Sequence, residues 1–219
     1  MAFNDANVKK NVCFALAQIA KHNQDLASAV VDADILPDTF NRLKDVDSQV
    51  RKNAATLIRE ICKRNDTMAM AVVNGGGVSP LVDFINDSKG SAAINALPAV
   101  MTLGFIAAWH ETLANAVIQT KGVEALLRVL IEDQEHHLKG AAAWSLGQCG
   151  RHTEQHAYAL CEKETLSKLL AVYLMDDAKD NDDLRKKTKQ ALKSIIANSK
   201  HYQELVAVFN LAPYNIVRY

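Results

Sequence analysis

Apolar residues recur along this chain at helical spacing, and the helical pattern itself recurs. In Asn11–His22 (NVCFALAQIAKH) the apolar positions fall three and four apart. Closely similar wording returns as NAATLIREICKR (Asn53–Arg64), AVMTLGFIAAWH (Ala99–His110) and AAWSLGQCGRH (Ala142–His152). Residues three and four apart share one face of a helix, so each copy predicts an amphipathic helix. Ile19, Ile61, Ile106 and Cys149 occupy one column, at offsets of 42, 45 and 43 residues. A second block follows three of the copies: AVVDADIL (Ala29–Leu36), AVVNGGGV (Ala71–Val78) and AVIQTKGV (Ala116–Val123).

Each unit reads as three helices. A short first helix, such as Gln24–Val31, leads to a second, Leu36–Lys44, and then to a longer third, Ser48–Lys63. Third helices are expected over about 6–22, 47–64, 91–109, 135–151 and 182–198. Gly75–Gly77 and Gly122 stand between first and second helices, where a residue tolerating positive φ is favoured. Asp34 and Glu164 occupy the equivalent sites, so those turns are expected to differ. Pro98 falls in the first turns of its helix, where a missing N–H costs least, or else bends it. Asn86–Gly90 reads as a turn, and Asp176–Asp183 as an acidic loop that complements the N-terminal end of the next helix.

A helical period of about 40–47 residues is the pattern of armadillo and HEAT solenoids. The expected fold is therefore all-α: a right-handed α-solenoid of about five three-helix units with incomplete ends. The unit boundaries are 1–22 (partial), 23–64, 65–109, 110–152, 153–198 and 199–219 (partial). Solenoid ends need a polar outer face. Neither end offers one: the chain opens on a third helix, and Tyr202–Tyr219 begins a further unit. A longer array or end-to-end self-association is expected from this.

The columns divide core from surface. Leu16, Leu57, Leu103 and Leu146, like Ile19, Ile61 and Ile106, read as core. A neighbouring stripe is polar or aromatic: Phe14, Thr56, Met101, Trp144 and Gln190, then one turn later Gln18, Glu60, Phe105, Gln148 and Ser194. Amides that satisfy an extended backbone, with aromatics that bury its apolar side chains, make a peptide-binding groove. Basic residues flank the stripe at both ends: Lys10, Lys52, Lys186 and Lys187 at one, Lys63, Arg64 and Arg151 at the other. Only Glu60 opposes them, so an acidic or mixed-charge partner segment is favoured.

Composition narrows the function classes. The chain has 219 residues, 49% hydrophobic, with 25 Lys+Arg balancing 25 Asp+Glu. Zero formal charge argues against general nucleic-acid or anionic-membrane binding. No uninterrupted apolar run approaches the roughly 18–20 residues of a membrane span, and MAFNDANVKK lacks a signal-peptide core. An intracellular location is expected. All four cysteines fall in apolar columns, which reads as reduced, buried thiols. Cys149, His152 and His156 stand at i, i+3 and i+7. A turn is expected at His152–Glu154, and Cys149 belongs to the core column, so no metal is assigned. His136 and His137 open a helix and look exposed. NGGGVSP lacks the Gly-Lys-Ser/Thr of a phosphate loop, and no nucleophile–base signature appears. Neither enzymatic activity nor a cofactor is expected.

These residues resemble the armadillo-repeat family. Peptide-binding armadillo proteins of the importin kind carry a Trp followed four residues later by Asn on each third helix. Trp144 matches the Trp, but Gln148 replaces the Asn, and Gln18, Glu60, Phe105 and Ser194 stand at the other Asn positions. That departure argues against nuclear-import cargo. KNAATLIREICKR (Lys52–Arg64), VVNGGGV (Val72–Val78), MTLGFIAAWHETLANAVIQTKGV (Met101–Val123) and KGAAAWSLGQCGRHTEQHA (Lys139–Ala157) are more similar to the armadillo proteins of the flagellar central pair, from about Val8 to Asn215. Those chains are about twice this length, which implies a fragment. The resemblance implies a scaffold on the C1 microtubule of the axoneme, supporting motility, with axonemal partners such as tubulin or central-pair neighbours. The alternative is an adaptor of importin or catenin type holding a linear peptide in its concave groove.

Overall fold

The computed structural model describes residues 5–175 and 181–199, and the regular structure within them is helical. The first described unit supplies only a third helix, α1 (Ala6–His22). Then follow α2 (Gln24–Asp32), α3 (Leu36–Arg42) and α4 (Ser48–Cys62). The next group is α5 (Asp66–Asn74), α6 (Val78–Asp87) and α7 (Leu97–Trp109), and after it α8 (Glu111–Gln119), α9 (Gly122–Glu132) and α10 (His136–Gly150). The last group is α11 (Glu154–Cys161), α12 (Thr165–Leu174) and α13 (Asp182–Ala197).

Short polar residues start these helices where the chain needs them. The side chains of Asp5, Asn23, Asp47, Asn65, Thr153 and Asn181 each accept a hydrogen bond from an N–H of the first turn. That satisfies donors a helix cannot satisfy internally. At α13 the capping group is thus Asn181. Asp182 and Asp183 lie in the first turn, where their charge meets the positive end of the macrodipole. The rest of the acidic loop, 176–180, and the segment from 200 to 219 lie outside the described residues.

First and second helices join through one left-handed residue in every group, whatever its type. Asp34 (φ 54°), Gly76 (φ 78°), Lys121 (φ 61°) and Glu164 (φ 58°) all adopt it. The expectation that the Asp34 and Glu164 turns would differ is therefore corrected. The assignment of Gly122 as the positive-φ residue is corrected too: Lys121 takes that conformation. A Cβ on Gly122 would stand 2.6 Å from Cγ1 of Val117, so close packing explains this glycine. The third helix expected at 91–109 begins as a 3-10 segment, Gly90–Ala96, and becomes α-helical at Leu97 with Pro98 in its first turn. Pro98 has no N–H to donate backwards, so the α-helical ladder starts there.

The third helices α1, α4, α7, α10 and α13 stack in sequence order and form the spine of the molecule. Their inward faces are fully buried, as at Val50, Ala54, Leu57 and Ile61 on α4 and Leu103 and Ile106 on α7. One core assignment fails. Ile19 is 42% exposed, because nothing among the described residues covers the outer side of α1. Cys13, Cys62 and Cys149 are buried free thiols, and Cys161 is half-buried. Burial pushes the Cys149 thiol up to about 12 and raises Cys62 further still. One stretch, Gly90–Trp109, is long and apolar enough to cross a membrane. It is the inner third helix of the stack, packed between α4 and α10.

Candidate protein-binding face

The third helices place the stripe on one side of the stack. Phe105 on α7 and Trp144 on α10 meet edge to face, with ring centroids 5.1 Å apart, and both remain partly exposed. The contact depends on Gly104, since a Cβ there would collide with the Trp144 ring and the Ser145 hydroxyl. Ser145 in turn donates to the carbonyl of Val100 at 2.9 Å. Aromatic pairs in this geometry add about 0.5–1.5 kcal/mol beyond their buried area. Phe14 lies apart on α1 and is 55% exposed. Met101 is half-buried, and Thr56 turns its hydroxyl back onto the carbonyl of Lys52 at 2.8 Å.

Two stripe residues lie deeper than the sequence pattern indicates. Glu60 is buried, and its Oε1 accepts from the Arg59 guanidinium at 2.6 Å. Gln148 is buried as well, and its Oε1 accepts from Arg151 at 2.8 Å. Both form the floor of the face rather than its open rim. Gln18 is exposed.

The basic flanks divide into two kinds. Lys10 donates to Asn7 at 3.1 Å, and Lys186 and Lys187 pair with Asp182 and Asp183 one turn earlier, at 3.4 and 2.7 Å. Such exposed i,i+4 pairs hold their partners weakly. Lys63 is exposed and Lys52 half-exposed. Arg64 and Arg151 do structural work that the sequence does not announce. Arg64 donates through Nε to the carbonyl of Ala20 at 2.9 Å and through its terminal nitrogen to Lys21. Arg151 donates to the carbonyl of Ala108 at 2.8 Å.

These bonds belong to a series. Trp109 donates its indole N–H to the carbonyl of Cys62 at 2.9 Å, His152 Nε2 meets the carbonyl of Ala107 at 2.6 Å, and Asn198 donates to Arg151 at 2.7 Å. The last carbonyls of a helix lack partners inside it. Here they are satisfied by side chains at the same place one unit later. The donor changes from Arg to Trp, His and Asn, so aligning residue types does not reveal the series.

Charge is segregated between layers although the chain is neutral. The third helices carry twelve Lys/Arg against three Asp/Glu. The first and second helices carry three against ten. One side of the solenoid is therefore basic and the other acidic, a field that net charge conceals. On the acidic side, a cleft of about 490 Å³ between α9 and α12 is lined by Glu124, Leu127, Arg128, Ile131, Lys163 and Lys168. Its cations are already paired, Lys163 with Glu124 at 2.6 Å and Lys168 with Glu164 at 3.4 Å.

The cysteine–histidine spacing does not converge. Cys149 is a core residue, while the His152 and His156 rings lie edge to face, 6.2 Å apart. His156 Nδ1 bonds the Thr153 hydroxyl at 2.9 Å, which fixes that ring at the start of α11. Burial holds His156 below the ordinary histidine value, His152 acts in the same direction, and Glu111 opposes them.

Solved structures share this stack over nearly all of its length. An engineered protein superposes with a TM-score of 0.86 at 21% identity, covering 97% of this chain and 84% of its own. A designed armadillo-repeat protein gives 0.83 at 21%, covering 94% and 83%. The chain folds as an armadillo-repeat solenoid. A further designed armadillo-repeat protein, solved in complex with a (KR)4 peptide, matches this solenoid with a TM-score of 0.80 at 22% identity, covering 88% and 77%. Among curated proteins, sperm-associated antigen 6 of Mus musculus is 45% identical over 90 residues, and that of Homo sapiens 44% over 90. Each match takes in 41% of this solenoid and 17% of the relative. The resemblance read from Val8 to Asn215 is thus carried, in these matches, by a shorter segment. No family model matches the chain.

Proposed function

We propose that this solenoid is a non-catalytic protein-interaction scaffold whose third-helix face holds an acidic or mixed-charge segment of its partner. The observation that carries the reading is the basic third-helix layer surrounding the Phe105–Trp144 pair. The aromatic pair offers an apolar seat, with Phe14 and Met101 further along. Lys10, Lys52, Lys63, Lys186 and Lys187 supply positive potential that steers an acidic chain and fixes its register. The basic peptide held by one designed neighbour suits a face of opposite sign. Here like charges would meet.

The likeness to sperm-associated antigen 6 supports an axonemal setting, in which the scaffold serves the C1 microtubule of the central pair and binds tubulin or central-pair neighbours. Fluorescence anisotropy with a Glu-rich peptide and with (KR)4 tests the face. Salt-sensitive binding of the acidic peptide alone is expected, and preference for (KR)4 would overturn it. Localisation of the tagged protein along the axoneme tests the setting.

A further inference from the structure

The cleft between α9 and α12 adjoins a second hollow of about 350 Å³, between α9 and the turn at 89–91. Arg128 and Glu132 line both, so the two form one trough across α9. Its walls come from three successive units of the stack. Three ion pairs line it, and in each the cation is the more buried partner. The side chains of Arg128 and Glu132 are 18% and 63% exposed, those of Lys163 and Glu124 32% and 45%, and those of Lys168 and Glu164 35% and 76%. The cations are also tied down from within: Arg128 donates to the carbonyl of Ile85, and Lys168 to that of Lys163 at 3.0 Å. Outside these pairs, Glu135 and Glu162 add two exposed carboxylates, and Lys89 adds one exposed cation. The trough therefore turns carboxylates to solvent and keeps most of its positive charge inside.

Within this acidic rim lies an apolar seat. Ile131 is 41% exposed, one turn beyond Leu127 on the same face of α9. The aliphatic stems of Arg128, Lys163 and Lys168 extend the seat around it. Stacking does not require an apolar residue there, since α6 carries the exposed Asn86 at the equivalent position.

A chain of cations alone, such as (KR)4, would bring nothing apolar to Ile131. An amphipathic helix with apolar residues along one face and Lys or Arg beside them meets both features, in the manner of a helix laid into a groove. Its apolar residues would cover Ile131 and Leu127, and its cations would meet Glu132 and Glu162 at the rim. We infer that the trough across α9 docks a basic amphipathic helix of a partner protein. The trough belongs to the acidic layer of first and second helices, whereas Phe105 and Trp144 belong to the third helices. The solenoid thus has separate seats for an acidic segment and for a basic helix.

Anisotropy of a labelled Leu/Lys amphipathic helix of about 14 residues, titrated with the whole chain at about 0.15 M salt, tests it. Saturable binding is expected, with (KR)4 weaker by about tenfold or more. Glu132→Lys/Glu162→Lys should weaken the helix about tenfold, and Ile131→Ser about fivefold. All three side chains are exposed, so the melting curve should stay in place, and Trp144→Ala should leave helix binding unchanged. A chain that does not bind the helix, or site variants that bind it like the parent, would overturn the inference. So would (KR)4 binding as tightly as the helix, or an equal loss in Trp144→Ala. Binding at the third-helix face is read with the Glu-rich peptide, and either result can fail without the other.

Discussion

Gly104 leaves the space that the Trp144 ring occupies, and the ring's edge-to-face contact with Phe105 at 5.1 Å depends on that vacancy. A side chain at residue 104 would have to push the indole outward and disturb Ser145, whose hydroxyl bridges back to Val100. Gly104→Ala is expected to destabilise the fold by about 1–3 kcal/mol, the usual cost of overpacking. Tryptophan emission should shift as well. Thermal melting with fluorescence detection checks both, and an unchanged spectrum with unchanged Tm would refute the close fit.

Arg64 and Lys63 are neighbours with opposite expected phenotypes. Arg64→Ala removes the donors to Ala20 and Lys21 and should cost about 1–2 kcal/mol, the range for bonds from a charged group less their solvation. Lys63→Glu, on an exposed side chain, should leave the melting temperature nearly unchanged while weakening acidic-peptide binding. Equal effects of the two substitutions in both assays would show that the residues are not so divided.

Trp144→Ala and the pair Lys52→Glu/Lys186→Glu should each reduce capture of an acidic peptide at least tenfold. The charge variant should also flatten its salt dependence. Trp144→Ala should affect peptides of different charge alike, because the ring contributes apolar contact. Peptide recovery unchanged by all three substitutions would remove the groove.

Acid should loosen the start of α11. His156 in the fold holds its proton less tightly than an unfolded histidine, because it is buried and faces His152. The unfolded chain therefore binds the extra proton first. Stability contributed by neutral His156 is complete above about pH 6.5 and is lost as pH falls through the lower, folded value. Melting temperatures at pH 7.5 and 5.5 should differ less in His156→Gln than in the parent chain. An equal drop in both would assign the acid sensitivity to other groups.

Thiol reactivity should follow depth. Burial raises all four thiols, but Cys161 is only half-buried and a hydrogen bond with Ser199 opposes the rise there, whereas Cys13, Cys62 and Cys149 are buried. Labelling with a disulfide reagent at pH 8 should modify Cys161 first, with the remaining three reacting at the rate of unfolding. Mass spectrometry of the labelled peptides decides this.

The repeat was legible because stacking demands the same apolar face in each unit, as Ile61 and Ile106 show. Third-helix positions followed to within about two residues for the same reason, except at α7, whose expected first turns are 3-10 and whose α-helix begins only at Leu97. Ile19 broke the rule because a column identifies a face, not whether anything covers it. The left-handed turns at Asp34, Lys121 and Glu164 escaped notice because chain geometry imposes that conformation without glycine. On the candidate face, Phe105 and Trp144 were visible as aromatics in adjacent columns. Glu60 and Gln148 were also visible, but their burial beneath Arg59 and Arg151 depends on side-chain reach that a one-dimensional pattern does not encode.

The side chains that close the ends of α1, α4, α7 and α10 come from residues 43 to 47 positions later in the chain. A polypeptide emerging from the ribosome therefore cannot finish one unit until it has made the next. Its growing end always trails by one incomplete unit, with the carbonyls of the last third helix still in water. Interruption of synthesis at any unit boundary would leave that same unfinished edge. The penultimate unit, not the newest one, is the last to be locked in place during biosynthesis.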